Sequence, residues 1–372
     1  MIKFITNNKI MLWVALALTV GATYFALRND SFLYQKPIAQ VVSVKQTSQN
    51  ESTDSFDNKV ENKNQVARVK FLNDGQAGRI VTVKNDYDTS RAMTQELKTG
   101  MQIFLVHQGD DSWGFANLKR DSTWVPFLVA LIGTLLILMG QAGRLTALSL
   151  GINTALFTLT VWLDLALGTG WIVKLFFGFS IITSVTTLGL VMGFRNRQTW
   201  VVFATVMTAT LSAMGIAALV FATTNGAGIH FELLEFITQL PKPMFFAITL
   251  VGVLGAVMDE STDMIATLFS LKKENPDVST RELITAGRHV GQEIFGALSN
   301  VLFLIFIAAQ VPMALLYLRN GNNLGYTYDM NMALGMAQTM ISAIGIVLTV
   351  PAGIMWVLIS QFFEHRKLRN KS

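Results

Sequence analysis

The chain has 372 residues, of which 51% are hydrophobic and only 14% are charged, and its formal net charge is +5. Soluble proteins usually carry about 25% charged residues, so this composition points to a lipid bilayer as the solvent of most of the chain. Cysteine is absent, which excludes disulfides, thiolate metal sites and cysteine nucleophiles.

The first apolar run covers residues 10–27 and follows Lys3 and Lys9. A cleaved signal peptide and a retained anchor both begin in this way. The run is longer than a typical signal core, and no convincing small-x-small cleavage site follows it. We therefore predict an N-terminal transmembrane anchor over residues 1–29.

Residues 30–122 differ in kind from the rest of the chain. Five short runs alternate between polar and apolar residues, at 38–45, 66–72, 79–84, 101–107 and 112–118. They predict a small all-β domain with an OB-like architecture. Residues 46–65 are so polar that we expect a loop there. No stripe of basic and aromatic residues accompanies the runs, so we expect no nucleic-acid partner.

The remaining residues, 123–372, are dominated by apolar segments. Seven of them follow one another, at 124–139, 146–167, 171–194, 200–224, 244–271, 291–318 and 335–363. Most have the roughly 20 residues that a helix needs to cross hydrocarbon. The sequence therefore predicts a seven-helix transmembrane domain. Together with the anchor, it makes a polytopic α-helical membrane protein of about eight spans.

The distribution of Lys and Arg predicts how these spans are oriented. Thirteen of these residues fall in the short segments on one side of the predicted spans, against two, Lys242 and Arg319, on the other side. Positive residues accumulate in cytoplasmic loops. We expect a multi-pass protein of the cell membrane with both termini cytoplasmic and residues 30–122 extracytoplasmic.

Two of the apolar segments carry ionisable residues and are joined by a polar turn at 272–277. The first places two glycines and two carboxylates on one helical face: Gly252, Gly255, Asp259 and Asp263. Glu260 points about 100° away from that face, and we expect it nearer the headgroups. Charged side chains are expensive inside a bilayer, so carboxylates at this depth indicate a functional site.

The second segment is predicted to begin at a capping box formed by residues 279–282. Its polar face carries His289, Glu293, Gly296 and Asn300. Because the two helices are antiparallel neighbours, we expect their polar faces to converge at one depth. The predicted site then consists of Asp259, Asp263, His289, Glu293 and Asn300. The predicted points of close helix packing are Gly252, Gly255 and Gly296.

Three interpretations of this cluster stay open. Its carboxylates could take up and release a proton or a cation, as in coupled transporters. Together with the histidine, they could bind a divalent metal ion. They could also form interhelical hydrogen bonds that only hold the bundle together. Elsewhere, Pro351 lies inside the last span, where its kink is either a hinge or a fixed bend.

At these residues the chain resembles the YibE/F-like family of bacterial multi-pass membrane proteins. The likeness rests on four motifs: Gly-x-x-Gly-Ala-x-Met-Asp at 252–259, Asn275-Pro276 followed by Glu282-Leu283, Gly291-x-Glu293-Ile294-x-Gly296 with Asn300, and Ile344-Gly345-x-x-Leu348-Thr349-Val350-Pro351. The anchor and the outer β-domain also resemble longer members of that family. The resemblance implies transport and, because members often occur as gene pairs, a second YibE/F-like membrane subunit.

These observations together predict a membrane transporter or permease subunit whose intramembrane carboxylates respond to protons or cations. The alternative is a non-transporting envelope scaffold or receptor that acts through the extracytoplasmic domain. No phosphate loop, nucleophile–base set or thiol pair is present, so we expect neither an enzyme nor a cofactor, apart from the divalent cation considered above. The expected partners are the lipid bilayer and either that second subunit or further copies of the chain.

Overall fold

The computed structural model describes residues 2–53, 59–73, 75–89, 94–109, 112–168, 170–234 and 240–369; at 2–8, 52, 294, 297 and 364–369 it describes the backbone alone. The chain forms two compact units that divide between Arg144 and Leu145. The elements of the first are α1 (Ile2–Arg28), β1 (Ile38–Thr53), β2 (Lys59–Phe71), β3 (Ile80–Asp88), β4 (Gln102–His107), β5 (Trp113–Leu118) and α2 (Asp121–Met139).

The five predicted strands form one antiparallel sheet with the order β3-β2-β1-β4-β5. Residues alternate along β2 between exposed and buried positions, so Ala67, Val69 and Phe71 all point into the core. Phe71 packs edge-on against Trp113 of β5, at 5.0 Å between ring centroids. The sheet therefore has the hydrophobic face that the alternating runs predicted.

The predicted loop at 46–65 is wrong for most of its length. β1 continues to Thr53 and pairs with β2 as far as Lys59, in a register that places Asn50 opposite Asn62. The part of this loop at 54–58 lies outside the described residues. Ladder hydrogen bonds use backbone groups, so two polar strands can pair where neither has an apolar face to bury. A search for apolar alternation misses such a hairpin.

A buried ion-pair cluster joins the sheet to both helices of the first unit. Lys119 follows β5 and its side chain is 1% exposed. Its Nζ lies 2.8 Å from a carboxylate oxygen of Asp30, just after α1, and 2.8 Å from one of Asp121, at the start of α2. It also donates to the carbonyl of Leu27. Tyr34 donates to Asp121 at 2.6 Å, and this hydrogen bond, with burial, raises the pKa of Tyr34 to about 12.

The start of β1 is fixed to the same place by one amide side chain. The Nδ2 group of Asn73 donates to the carbonyls of Ser31, Tyr34 and Lys36, and its Oδ1 accepts from the backbone N–H of Ile38. A segment without regular structure leaves backbone groups that need partners, and Asn73 supplies them here. In the same unit, α1 and α2 pack against each other.

The second unit consists of helices. They are α3 (Gln141–Leu167, whose first residues precede the division), α4 (Ile172–Leu188), α5 (Arg197–Thr223), α6 (Pro241–Glu274), α7 (Thr280–Arg319), the short α8 (Leu324–Thr327) and α9 (Ala333–Arg369). Across both units, eight helices of the described chain are long and apolar enough to cross a membrane, as predicted.

The core of the second unit lies where α5, α6 and α9 meet. A Cβ on Gly345 of α9 would lie 2.9 Å from side-chain atoms of both Val253 and Val257 on α6. Two turns further along α9, a Cβ on Gly353 would approach Met264 even more closely. Glycine at these positions lets the helices come close enough for dispersion contacts to hold them together. On the other faces, α4 packs against α6 and α7 against α9.

Because Lys119 is buried, we expect its replacement to destabilise the β-domain strongly. The substitution Lys119→Met leaves Asp30 and Asp121 without a counter-charge, which should lower the free energy of unfolding by about 3–5 kcal/mol. Hydrogen exchange of the full-length chain, read by mass spectrometry, should then become about a hundredfold faster or more in β1 and β4.

The matched control is Lys59→Met, which removes a cation from an exposed pair with Glu51 at 3.4 Å. Exposed pairs contribute about 0–1 kcal/mol, so exchange should change little. Equal effects of the two substitutions would contradict the assignment of Lys119 as the residue that joins the sheet to the helices.

Candidate functional site

Glu260 is the most deeply buried charged residue of the helical unit among the described residues. It lies in the interior of α6 and is 1% exposed. Neither of its carboxylate oxygens has a hydrogen-bond partner among the described residues. A carboxyl group in such a place normally has partners, because burying a polar group without them is costly. The unsatisfied side chain therefore singles out this position.

The close contacts of α9 define the level at which Glu260 lies. On α6, Glu260 falls between Val257, which Gly345 contacts, and Met264, which Gly353 contacts. Thr349 lies midway between the same two glycines on α9 and is fully buried. By helix geometry the carboxyl group is therefore at about the level of Thr349, inside the packed core.

Hydroxyl groups line this core, and two of them are engaged by carbonyls of their own helices. Thr349 donates to the carbonyl of Ile346 at 2.6 Å, and Thr205 of α5 donates to that of Val201 at 2.8 Å. Such bonds to the preceding turn are the usual way in which Ser and Thr are satisfied inside apolar helices. They use the hydroxyl protons that could otherwise have been donated to a carboxylate.

Further buried hydroxyls lack partners, as Glu260 does. Thr210 of α5, and Thr249 and Ser261 of α6, are each at most 2% exposed and have no hydrogen-bond partner among the described residues. Thr249 lies eleven residues before Glu260 and thus on the same helical face. The core between α5, α6 and α9 consequently contains several polar groups that can accept a hydrogen bond or bind a cation.

The five residues that the sequence assigned to the site lie elsewhere. Each of their side chains is exposed on the surface of its own helix, Asp259 and Asp263 on α6 and His289, Glu293 and Asn300 on α7. No three His, Asp or Glu side chains in the described ranges lie where one metal ion could bind them together. The structure therefore shows these side chains on exposed helix surfaces and forms no metal-binding group from them within the described ranges.

The reason lies in how α7 packs. A Cβ on Gly287 or Gly291 of α7 would meet Ile354 or Val350 of α9, so this face of α7 is turned toward α9. His289 and Glu293 lie two residues further along, about 200° around the helix from that contact. Helices α6 and α7 are joined by a short turn, but their mutual contact is less extensive than that of α7 with α9.

The same packing places the close helix contacts at other glycines than those predicted. A Cβ on Gly252, Gly255 or Gly296 meets no heavy atom within 4 Å. Close contacts occur instead at Gly345, which belongs to the fourth motif, and at Gly353, which lies just beyond it. The face of α6 that the sequence assigned to the site is therefore rotated by one residue from the buried face. Glu260, and not Asp259, points into the interior. Glu260 is buried in the protein core, and its expected position nearer the headgroups stays a prediction.

Two other predictions concern the ends and the middle of helices. The capping box is confirmed: Ser279 accepts from the backbone of Glu282, and Glu282 accepts from the backbone of Ser279 at 2.8 Å. Pro351 lies within α9, which continues on both sides of it. Because proline has no N–H, the carbonyl of Val347 loses its usual helical donor there. A hinge at Pro351 stays a prediction.

One signal in the sequence could have identified Glu260. Thr249, Val253, Glu260 and Met264 share one face of α6, and the remaining members of that face are mostly large and apolar. Small residues mark close helix approach, and our prediction gave them more weight than the apolar bulk on this neighbouring face. The buried face of a membrane helix cannot be told from its lipid face by hydrophobicity alone, since both are apolar.

Comparisons with known proteins agree with the architecture. A family model described as YibE/F-like protein matches residues 127–362, and one described as YibE/F family N-terminal domain matches residues 32–117. Neither the curated proteins nor the solved structures searched give a match.

The core contacts predict different effects of substitution at two glycines. In Gly345→Leu the added side chain would overlap Val253 and Val257, so α9 must move away, at a cost of about 1–3 kcal/mol or more. The melting temperature of the purified protein in detergent should fall by several degrees. Gly252→Leu meets open space and should leave it unchanged. Equal melting temperatures for Gly345→Leu and the unmodified chain would contradict the described packing.

Proposed function

The chain belongs to the YibE/F-like family, and from this and its eight apolar helices we propose that it is a transporter or permease subunit of the bacterial cell membrane. In this proposal Glu260 is the intramembrane carboxylate that responds to protons or cations. The observation that carries it is a carboxyl group, 1% exposed, without a hydrogen-bond partner in the described core.

An ionised Glu260 would be costly in this core. Moving an ionised carboxylate from water into a protein interior costs several kcal/mol unless another charge compensates it. The core described above contains hydroxyls but no cationic side chain that is buried with Glu260. A proton or an inorganic cation must then neutralise the carboxylate, and its binding and release would be coupled to the packing of α5, α6 and α9.

Among these ligands, the surroundings of Glu260 favour a proton or a monovalent cation. Calcium takes six to eight oxygen ligands, and magnesium needs near-octahedral coordination. Glu260 is a single carboxylate, and the charged neighbours on its own helix, Asp259 and Asp263, are exposed. We therefore do not expect a divalent cation at Glu260, and the Mg²⁺ gradient in the experiment below tests for one.

The exposed polar groups of α6 and α7 support a partner subunit. Asp259 lies about 22 Å along the helix from Met244, which is well inside the bilayer if α6 spans it. Ionisable groups at that depth normally face a bundle interior or a water-filled cavity. We propose that a second YibE/F-like subunit or another copy of this chain covers Asp259, Asp263, His289, Glu293 and Asn300.

The proposed orientation follows the Lys and Arg distribution, with both termini cytoplasmic and the β-domain outside. We interpret that domain as an OB-like barrel, because its edge strands β3 and β5 contact each other and so bring the two ends of the sheet together. In this arrangement the β-domain would act as a docking or sensing module, and it carries no residue of the proposed transport site.

The proposal is tested with the full-length protein reconstituted in liposomes that contain a pH-sensitive dye. Gradients of Na⁺, K⁺ or Mg²⁺ are applied one at a time, and the internal pH is followed. We expect a pH change in at least one gradient with the unmodified chain. Glu260→Gln keeps the shape of the side chain but cannot ionise, so it should reduce the change to the level of empty liposomes.

The matched control is Glu274→Gln, which removes a carboxylate from the exposed end of the same helix and should retain the flux. Full flux in Glu260→Gln would overturn the role of this residue. If no gradient changes the internal pH, while deletion of residues 40–117 abolishes the cellular function, the scaffold alternative is favoured instead.

A further inference from the structure

The first unit contains a cavity of about 600 Å³ beside the buried ion-pair cluster. Four segments form its wall: the end of α1, the segment that leads into β4, the end of β5 and the first turn of α2. The lining residues include Tyr24, Arg28, Lys98, Arg120 and Trp124. Nothing in the proposed transport function involves this cavity.

Its position relative to the bilayer follows from the helices that border it. α1 and α2 are both candidate spans, and the cavity lies at the ends of both helices that adjoin the β-domain. Trp124 is 65% exposed there, and Tyr24 is also exposed. Aromatic side chains of this kind are enriched where hydrocarbon meets the headgroups. The cavity thus has one wall at acyl-chain level and another at headgroup level.

The headgroup side of the cavity is positively charged. Arg28 donates from one guanidinium nitrogen to the carbonyl of Gly100 at 3.0 Å and from another to the hydroxyl of Tyr24 at 2.8 Å, and both acceptors are neutral. Arg120 is exposed, and within the described part of the chain no carboxylate lies within ion-pair distance of it. The two guanidinium groups therefore keep their charge.

The other charged groups near the cavity offset this charge only in part. Lys119 is paired with both Asp30 and Asp121, so that cluster carries one net negative charge, but neither of these carboxylates belongs to the cavity wall. Lys98 pairs with Glu96 at 3.5 Å, but the ammonium group is largely exposed and the pair is weak. Arg28, Lys98 and Arg120 thus present three cationic groups around one concave, partly apolar space.

We propose that this cavity binds the phosphate of an anionic phospholipid headgroup. Arginine offers several N–H donors in a plane that matches phosphate oxygens. An acyl chain could then continue along the exposed apolar side chains of α1 and α2, next to Trp124. A phospholipid satisfies the cationic and the apolar walls together, whereas free phosphate satisfies only the first.

The test measures lipid affinity by native mass spectrometry of the full-length protein in detergent. Phosphatidylglycerol and phosphatidylcholine are titrated separately, and the dissociation constant of the first bound lipid is compared. We expect tighter binding of phosphatidylglycerol. Arg120→Gln should weaken it about fivefold, and adding Lys98→Gln should weaken it about 25-fold in all, with phosphatidylcholine unaffected.

The matched control removes the same charges elsewhere on the sheet. Arg68→Gln combined with Lys70→Gln changes two exposed cations of β2 that lie outside the cavity wall. Unchanged affinity in this control supports the proposal, and an equal loss in both double variants overturns it in favour of general charge attraction.

A competition experiment distinguishes a phospholipid from a free phosphate compound as the ligand. Glycerol phosphate and inorganic phosphate, added at the lipid's own dissociation constant, should leave lipid binding intact. Displacement at that concentration would overturn the lipid assignment and make this a site for a free phosphate compound. Equal affinities of the unmodified chain for the two lipids would overturn the site altogether.

Discussion

The helical unit depends on one steric condition: α9 must come close to α5 and α6. Gly345 and Gly353 permit this approach, and the side chains that would clash with a larger residue, Val253, Val257 and Met264, form the surface on which α9 rests. Inside a bilayer no hydrophobic effect drives apolar helices together, so such close packing has to supply the cohesion. The same contact encloses Glu260, which makes the energy of its charge dependent on how tightly the three helices pack.

The first unit is held by a different kind of force. Its sheet has an ordinary hydrophobic core, but the connection to α1 and α2 is electrostatic and runs through Lys119, Asp30 and Asp121. A buried ion pair contributes little net stability compared with apolar packing, while losing one member is costly. The cluster therefore fixes the geometry of the connection more than it stabilises the fold. The same contacts hold the walls of the neighbouring cavity in place.

The sequence alone was sufficient for the long apolar helices, the five strands and the capping box, because each leaves a local signal in hydropathy, alternation or spacing. It was insufficient where the structure depends on backbone pairing between strands or on which face of a helix packs against a neighbouring helix. The polar hairpin of β1 and β2 has no apolar pattern, and the choice between Asp259 and Glu260 depends on which side of α6 meets α9. One residue corresponds to about 100° of rotation, so a small error in the buried face replaces one carboxylate by its neighbour. Charge counting, in contrast, identified basic residues but could not show that Arg28 and Arg120 border one cavity.

The length of β1 has a mechanical consequence. Its 16 residues extend about 50 Å at the usual strand rise, which is comparable to the thickness of a whole bilayer with its headgroups. One end is held near the helices through Asn73, and the other runs out with β2 as a polar ribbon. Over this length, a rotation of about 5° at the membrane-proximal end of a straight ribbon displaces the far end by about 4 Å. Small changes of orientation near the helices thus become displacements of several ångströms at the far end of β1.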